Sequence, residues 1–318
     1  MAKIFAVLLA FFVFQASAQA ADKIRIAVPA PSIQQLTFPL AQKRGFFREE
    51  GLEAEIILMR GNVPVAALVN GEIDYFSGIS PVVAAAIRGV PVKVLACYVP
   101  GAPHILVARV EINSVKELKG KTIAVGPFGG AVHGIGKMIV KHFGFDPDKD
   151  VKFLSTGPPE SRFLAMKQGL ADAATLTPPF DLLGKKMGFV VLARAYELFS
   201  YPTGGPTASV KKIRERPDES KRVIKAGIKA NRYIHQNREG TIQFMMEWLK
   251  IDKEMATATY VSTSKAFNED GSIPEDGLRL LIEEAKQSTK VEREVPFSDV
   301  ADLSILREAQ RELGIKGK

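Results

Sequence analysis

The sequence predicts an α/β protein of two lobes, each a mainly parallel sheet flanked by helices, completed by a helical C-terminal region. Three observations carry this reading. Strand-like and helix-like segments alternate from Lys23 to Ala193, and the alternation breaks at residues 99–103 and again at 202–206. The roughly 300 residues that follow an N-terminal leader are more than one hydrophobic core normally serves.

The leader comes first. Lys3 precedes an apolar run from Ile4 to Phe14, and small residues follow at Ala16-Ser17-Ala18 and Ala18-Gln19-Ala20. A basic start, an apolar stretch of about ten residues and small residues at −3 and −1 predict a cleavable secretory signal over residues 1–20, with Ala21 or Asp22 first in the mature chain. Ala16-Ser17-Ala18 would also serve for cleavage. The run is well short of the ~20 apolar residues that a spanning helix needs. No cysteine follows it to carry a lipid anchor.

In the first unit, residues 23–28 read as a strand that stops at Pro29-Ala30-Pro31. A helix over 36–47, a strand over 52–59, a helix over 63–69, a strand over 75–78, a helix over 81–88 and a strand over 92–98 follow. After the first break the alternation resumes. Strands are expected at 105–110, 121–125, 151–154, 173–176 and 189–193, with helices at 114–118, 131–143, 160–168 and 180–187 between them. Pro202-Thr203-Gly204-Gly205-Pro206 then reads as an interruption, and from Pro217 onward the pattern is helical. Pro217 suits a first helical turn, Ser272-Ile273-Pro274-Glu275 a capping box, and Gly314 a helix end. Two crossings between units imply a first lobe over 21–100, a second over 101–200, and a return at 201–318 that completes the first. The crossings form the expected hinge.

Composition is that of a globular chain, 46% hydrophobic and 25% charged, with 43 Lys+Arg against 35 Asp+Glu for a net charge of +8. Ten basic residues fall between Lys211 and Arg238, to be read either as a solvated helix face or as a surface that steers an anion or an acidic partner. Export and the lack of a recognisable binding module argue against nucleic acid as a partner. The single cysteine, Cys97, cannot form an internal disulfide and reads as a buried thiol on a strand. His104, His133, His142 and His235 do not show metal-ligand spacing, and no G-x-S-x-G, H-E-x-x-H or Walker pattern occurs. Neither catalytic residues, a metal site nor a cofactor is expected.

The run from Leu40-Ala41-Gln42-Lys43-Arg44-Gly45-Phe46-Phe47 to Gly51-Leu52, then Asn70-Gly71-Glu72-Ile73-Asp74, Leu118-Lys119-Gly120-Lys121-Thr122 and Gly169-Leu170-Ala171-Asp172-Ala173, resembles the SsuA/THI5-like, or NMT1-type, binding proteins. The resemblance implies the two-lobed type II periplasmic-binding-protein-like fold. It also implies a periplasmic protein that captures a small anionic or polar organic solute and passes it to the permease subunits of an ABC importer; the cleavable signal and the lack of a later apolar span lead to the expectation of a monomer. Two alternatives stay open: a periplasmic ligand sensor, and a relative of a fungal thiamine-pyrimidine synthase of this fold. The latter carries a cysteine-rich motif that this chain lacks.

Ligands of open α/β sheets sit beyond the carboxyl ends of strands, where helix N-termini present free N–H groups. That selects Ser32, Gln34 and Gln35 after the first strand and Ser80 after the third. In the second lobe it selects Phe128, Gly129, Gly130 and His133 after the strand at 121–125, with Thr177 and Pro178 after the strand at 173–176. Hydroxyls and amides would bind the solute, and the glycine pair would let backbone donors approach it. For each the plainer role is structural: Ser32 and Ser80 as helix caps, Phe128 as core, His133 as a surface residue. Trp248, beside Met245 and Met246, reads as core.

Overall fold

The computed structural model describes residues 21–60, 63–128 and 130–316; the expected signal at 1–20 lies outside them. Ten strands occur in chain order: β1 (Asp22–Val28), β2 (Leu52–Leu58), β3 (Tyr75–Gly78), β4 (Val92–Val94), β5 (Ile105–Ala108), β6 (Thr122–Val125), β7 (Lys152–Ser155), β8 (Ala173–Leu176), β9 (Val190–Arg194) and β10 (Gly204–Ser209). They form two five-stranded sheets, ordered β2-β1-β3-β10-β4 and β7-β6-β8-β5-β9. β1 lies parallel to β2 and β3, whereas β10 is antiparallel to β3 and β4. The second sheet repeats this plan, β6 parallel to β7 and β8, β5 antiparallel to β8 and β9. Each sheet is therefore mixed: four strands share a direction, and the reversed one is the strand that directly follows a crossing.

β10 corrects the sequence reading, which took Pro202 to Pro206 for an interruption. Gly, Gly and Pro are poor strand formers, and a proline argues against a central strand. Packing overrides that preference. A Cβ at Gly204 would lie 2.6 Å from the Gln34 carbonyl oxygen, and one at Gly205 2.1 Å from that of Ala96. Only glycine lets the backbones come this close, and a register shift between Gly204 and Thr207 accommodates Pro206.

Three other expectations shift. The helix expected over 36–47 is divided at Gly45, whose φ of 83° ends Thr37–Arg44 before Phe46–Glu49 begins. The strand expected over 92–98 pairs only as Val92–Val94. Cys97 lies beyond it, buried and with a free thiol whose pKa burial pushes up. No capping box forms at Ser272, because the Glu275–Thr289 helix starts after Pro274 with no side-chain cap. The Ser272 hydroxyl instead accepts from Gln310 Nε2 at 3.3 Å.

The two connecting segments run side by side. Tyr201 N–H donates to the Pro100 carbonyl at 2.7 Å and Thr203 N–H to that of Val99 at 3.0 Å. The first is tied to the long Pro217–Gln236 helix through Tyr98, which packs on Gly227 and donates to the Ile224 carbonyl at 3.2 Å. Asn231 of that helix reaches the Tyr98 and Asn268 carbonyls at 2.8 and 2.7 Å. Such buried polar links fix one arrangement only when every member is satisfied, as these are.

Most of the basic segment is neither a bare solvated face nor a free anion-steering surface. Lys212, Arg216, Lys221, Arg222, Lys225 and Lys229 all pair with carboxylates, among them Asp22, Glu49, Glu50, Glu219 and Glu312. Glu219 is the most enclosed. It meets Lys212 at 2.6 Å, Arg216 at 3.2 Å and the Tyr75 hydroxyl at 3.0 Å.

Candidate functional site

β3 ends at Gly78, which is the N-cap of the Ile79–Ala86 helix, so Ser80 is inside the first turn and not the cap. Across from it β6 leads through Gly126 to Gly130, the N-cap of the Ala131–His142 helix. These two helix starts, one from each sheet, line a cavity of about 460 Å³ with Ser80, Gly130 and His133 among its walls. Two residues that sequence reasoning missed complete it: Tyr201, from the second connecting segment, and Glu284, from the Glu275–Thr289 helix.

The polar groups of the cavity are coupled. Tyr201 Oη donates to Glu284 Oε2 at 2.8 Å and is also hydrogen-bonded to the Ser80 side chain. Burial raises the Tyr201 pKa, and the Glu284 carboxylate raises it further. Burial likewise raises the Glu284 pKa, against the opposing effect of the Tyr201 hydrogen bond. Glu284 Oε1 reaches the opposite helix, 3.2 Å from where a Cβ on Gly134 would sit. His133 is half-buried between Phe128 and Phe153, its ring edge-to-face with each at 5.2 and 5.1 Å. Partial burial and then Lys137 lower its pKa, with Asp148 opposing, which favours the neutral imidazole.

The other expected site residues are placed differently. Phe128 is 63% exposed and flanks His133 outside the cavity lining. Gly129 lies outside the described residues. Ser32, Gln34, Gln35, Thr177 and Pro178 are not among the lining residues. The Ser32 loop is drawn elsewhere: its carbonyl accepts from Trp248 Nε1 at 3.2 Å, and the Gln34 carbonyl packs on Gly204. Trp248 is thus half-buried and bonded to a strand-end loop, and not a plain core residue. Ser32 does not cap the short turn that it precedes, and Gln35 is buried with Oε1 unpartnered. Thr177 is half-buried, while Pro178 is buried and joined to Pro179 by a cis peptide bond.

Beneath the second-lobe loops sits a buried cation. Arg162 is 3% exposed, donates from Nη1 to the Gly157 carbonyl at 2.9 Å and crowds Gly126, so it braces the turns after β6 and β7. His104 nearby is buried, and burial, reinforced by Arg162, lowers its pKa to about 3. Among the described residues no group of three or more His, Cys, Asp or Glu is placed to hold a metal ion, and no helix is long and apolar enough to cross a membrane.

The NMT1/THI5-like family model matches residues 33–240, which run from the turn after β1 through the crossings and the long Pro217–Gln236 helix to the start of the Arg238–Leu249 helix. YtlA of Bacillus subtilis (strain 168), described as a binding protein, is 22% identical over 91% of this chain and 90% of its own length. The periplasmic aliphatic sulphonate binding protein SsuA from Escherichia coli superposes with a TM-score of 0.69 at 16% identity, covering 88% of this chain and 92% of SsuA. The desulfurization enzyme DSZB shares the fold too, with a TM-score of 0.62 at 14% identity over 92% of this chain and 99% of the enzyme. With two mixed sheets of repeated plan, a cavity where their helix starts meet and a family match over about two thirds of its length, the chain belongs to the NMT1/THI5-like family.

Proposed function

We propose that this chain is an exported solute-binding protein that captures a small solute in the cavity between its two sheets and delivers it to the permease of an ABC importer. The observation that carries this is the shared lining: Ser80 from one sheet and Gly130 and His133 from the other face the same space. A solute touching all three would favour the state in which the sheets approach, bending at the paired segments near Val99 and Thr203. The leader at residues 1–20 supports export to the periplasm, and the mature chain would act as a monomer there. It would not be an enzyme. The sole cysteine is buried, with a pKa raised by that burial, which withholds the thiolate that a cysteine nucleophile needs.

A thermal-shift screen of small solutes on the chain from Ala21 onward, followed by small-angle scattering with a solute that binds, tests the reading. Binding is expected to raise the melting temperature and shrink the radius of gyration. A solute that binds without changing the scattering profile would refute closure, and chemical turnover of a bound solute would refute the non-enzymatic role.

A further inference from the structure

The cavity holds one side chain with a formal charge at neutral pH, and it is acidic. Among the described residues its lining contains Glu284 but neither lysine nor arginine, and its other polar side chains include Ser80, His133, Tyr201 and Ser288. Two enclosed carboxylates elsewhere in this chain face cations: Glu50 meets Lys225 and Lys229, and Glu219 meets Lys212 and Arg216, whereas the buried Asp181 has the Ser262 hydroxyl on Oδ2. Even Glu283, beside Glu284 in sequence, has Lys286 at 3.6 Å. Glu284 has only the neutral Tyr201 hydroxyl on Oε2, while Oε1 lies against the opposite helix near Gly134. That helix start contributes about half an elementary charge at most, which does not replace a counter-ion. Burial raises the Glu284 pKa, as expected for a carboxylate whose surroundings under-compensate its charge.

A half-buried carboxylate that faces a cavity of solute size and lacks a cation of its own is completed by one brought from outside. We propose that the cavity recognises its solute through a cationic nitrogen, an ammonium or amidinium group that pairs with Glu284 while Ser80 and Ser288 hydrogen-bond the rest. This rests on reading the cavity as the solute site, and it narrows the expectation of an anionic or polar organic solute to one that carries a cationic nitrogen. Tyr201 acts here as a positioning residue, holding Oε2 so that the carboxylate faces the cavity.

Matched probes that differ by one nitrogen cation provide the test: taurine with ethanesulfonate, β-alanine with propionate, and benzamidine with benzamide, each assayed by thermal shift and calorimetry on the mature chain. The amine- or amidine-bearing member of at least one pair is expected to bind and its partner to bind far more weakly. Glu284→Gln, close to isosteric, is expected to lower that affinity about tenfold or more while melting close to the parent. Tyr201→Phe should weaken binding less than Glu284→Gln. Cation-free members that bind as well as their partners, or a Glu284→Gln variant that binds like the parent, would overturn the inference and leave solute binding itself intact. If neither member of any pair binds, the inference falls, and the solute-site reading loses support with it.

Discussion

Acidification from pH 7 to pH 5 should destabilise this protein through its buried His104. Its ring is 7% exposed, Nδ1 is buried without a partner, and burial together with Arg162 holds its pKa at about 3, against about 6.5 for an unfolded histidine. The unfolded chain thus binds the proton more readily than the folded one between those two values. The folded state keeps its full stability above pH ~6.5 and loses it progressively as the pH falls toward 3. By linkage, the loss at pH 5 is on the order of 2 kcal/mol, or a few degrees of melting temperature for a chain of this size. His104→Gln retains a polar side chain of similar reach but cannot take up the proton. Denaturant melts of parent and variant at both pH values should show the parent losing about 2 kcal/mol more than the variant. His133, whose pKa is lowered by its partial burial, acts in the same direction in both proteins and so cancels. Equal losses in parent and variant would mean that His104 is solvated or paired in solution, and the burial argument would fail.

Three further outcomes follow from particular contacts. Glu219→Ala removes the carboxylate that Lys212, Arg216 and Tyr75 share; Lys212 keeps Asp74 and Arg216 keeps Asp22, so the change should cost about 1–3 kcal/mol in a denaturant melt, and a loss under about 0.5 kcal/mol would show that the remaining partners and solvent compensate the cluster. Gly205→Ala places a methyl group 2.1 Å from the Ala96 carbonyl oxygen, so β10 must move; the variant should melt well below the parent or fail to accumulate, and parental melting would be inconsistent with that close approach. Ser80→Ala, which removes one hydrogen bond to the uncharged part of the solute, should weaken binding by roughly 0.5–1.5 kcal/mol by calorimetry, whereas Thr177→Ala, outside the cavity lining, should change affinity less; the reverse order would place the solute nearer β8.

Much of the architecture was legible from residue pattern. The strands β1, β3, β6 and β8 stand within a residue or so of the places that their short runs of strand-like residues indicate, because buried strands need apolar faces whatever surrounds them. β10 was not legible, because a strand made of Gly-Gly-Pro-Thr-Ala-Ser is dictated by what presses on it and not by propensity. The strand-end rule found one residue or more on each side of the cavity, Ser80 on one and Gly130 and His133 on the other, and did not find Tyr201 or Glu284. The rule examines where strands stop, and these two arrive from a connecting segment and from a helix some 200 residues after Ser80.

Glu284 shows why such a residue escapes a one-dimensional reading. In the run Ile282-Glu283-Glu284-Ala285-Lys286 the two glutamates have the same chemistry, and both pass for the solvated face of an amphipathic helix. One step along a helix turns a side chain by about 100°. Here that step decides between an exposed position facing Lys286 for Glu283 and Tyr201 beside the cavity for Glu284. Leu278, Leu281, Ile282 and Ala285 set the rotation, because their burial decides which side of the helix faces the protein. The apolar stripe that looks merely structural thus aims the one acidic group in the cavity. Loosening that helix's packing while retaining Glu284 should therefore impair solute binding in the same direction as removing the carboxylate, a comparison that Ile282→Ala, buried and outside the cavity lining, makes against Glu284→Gln by calorimetry; parental affinity in Ile282→Ala would refute it.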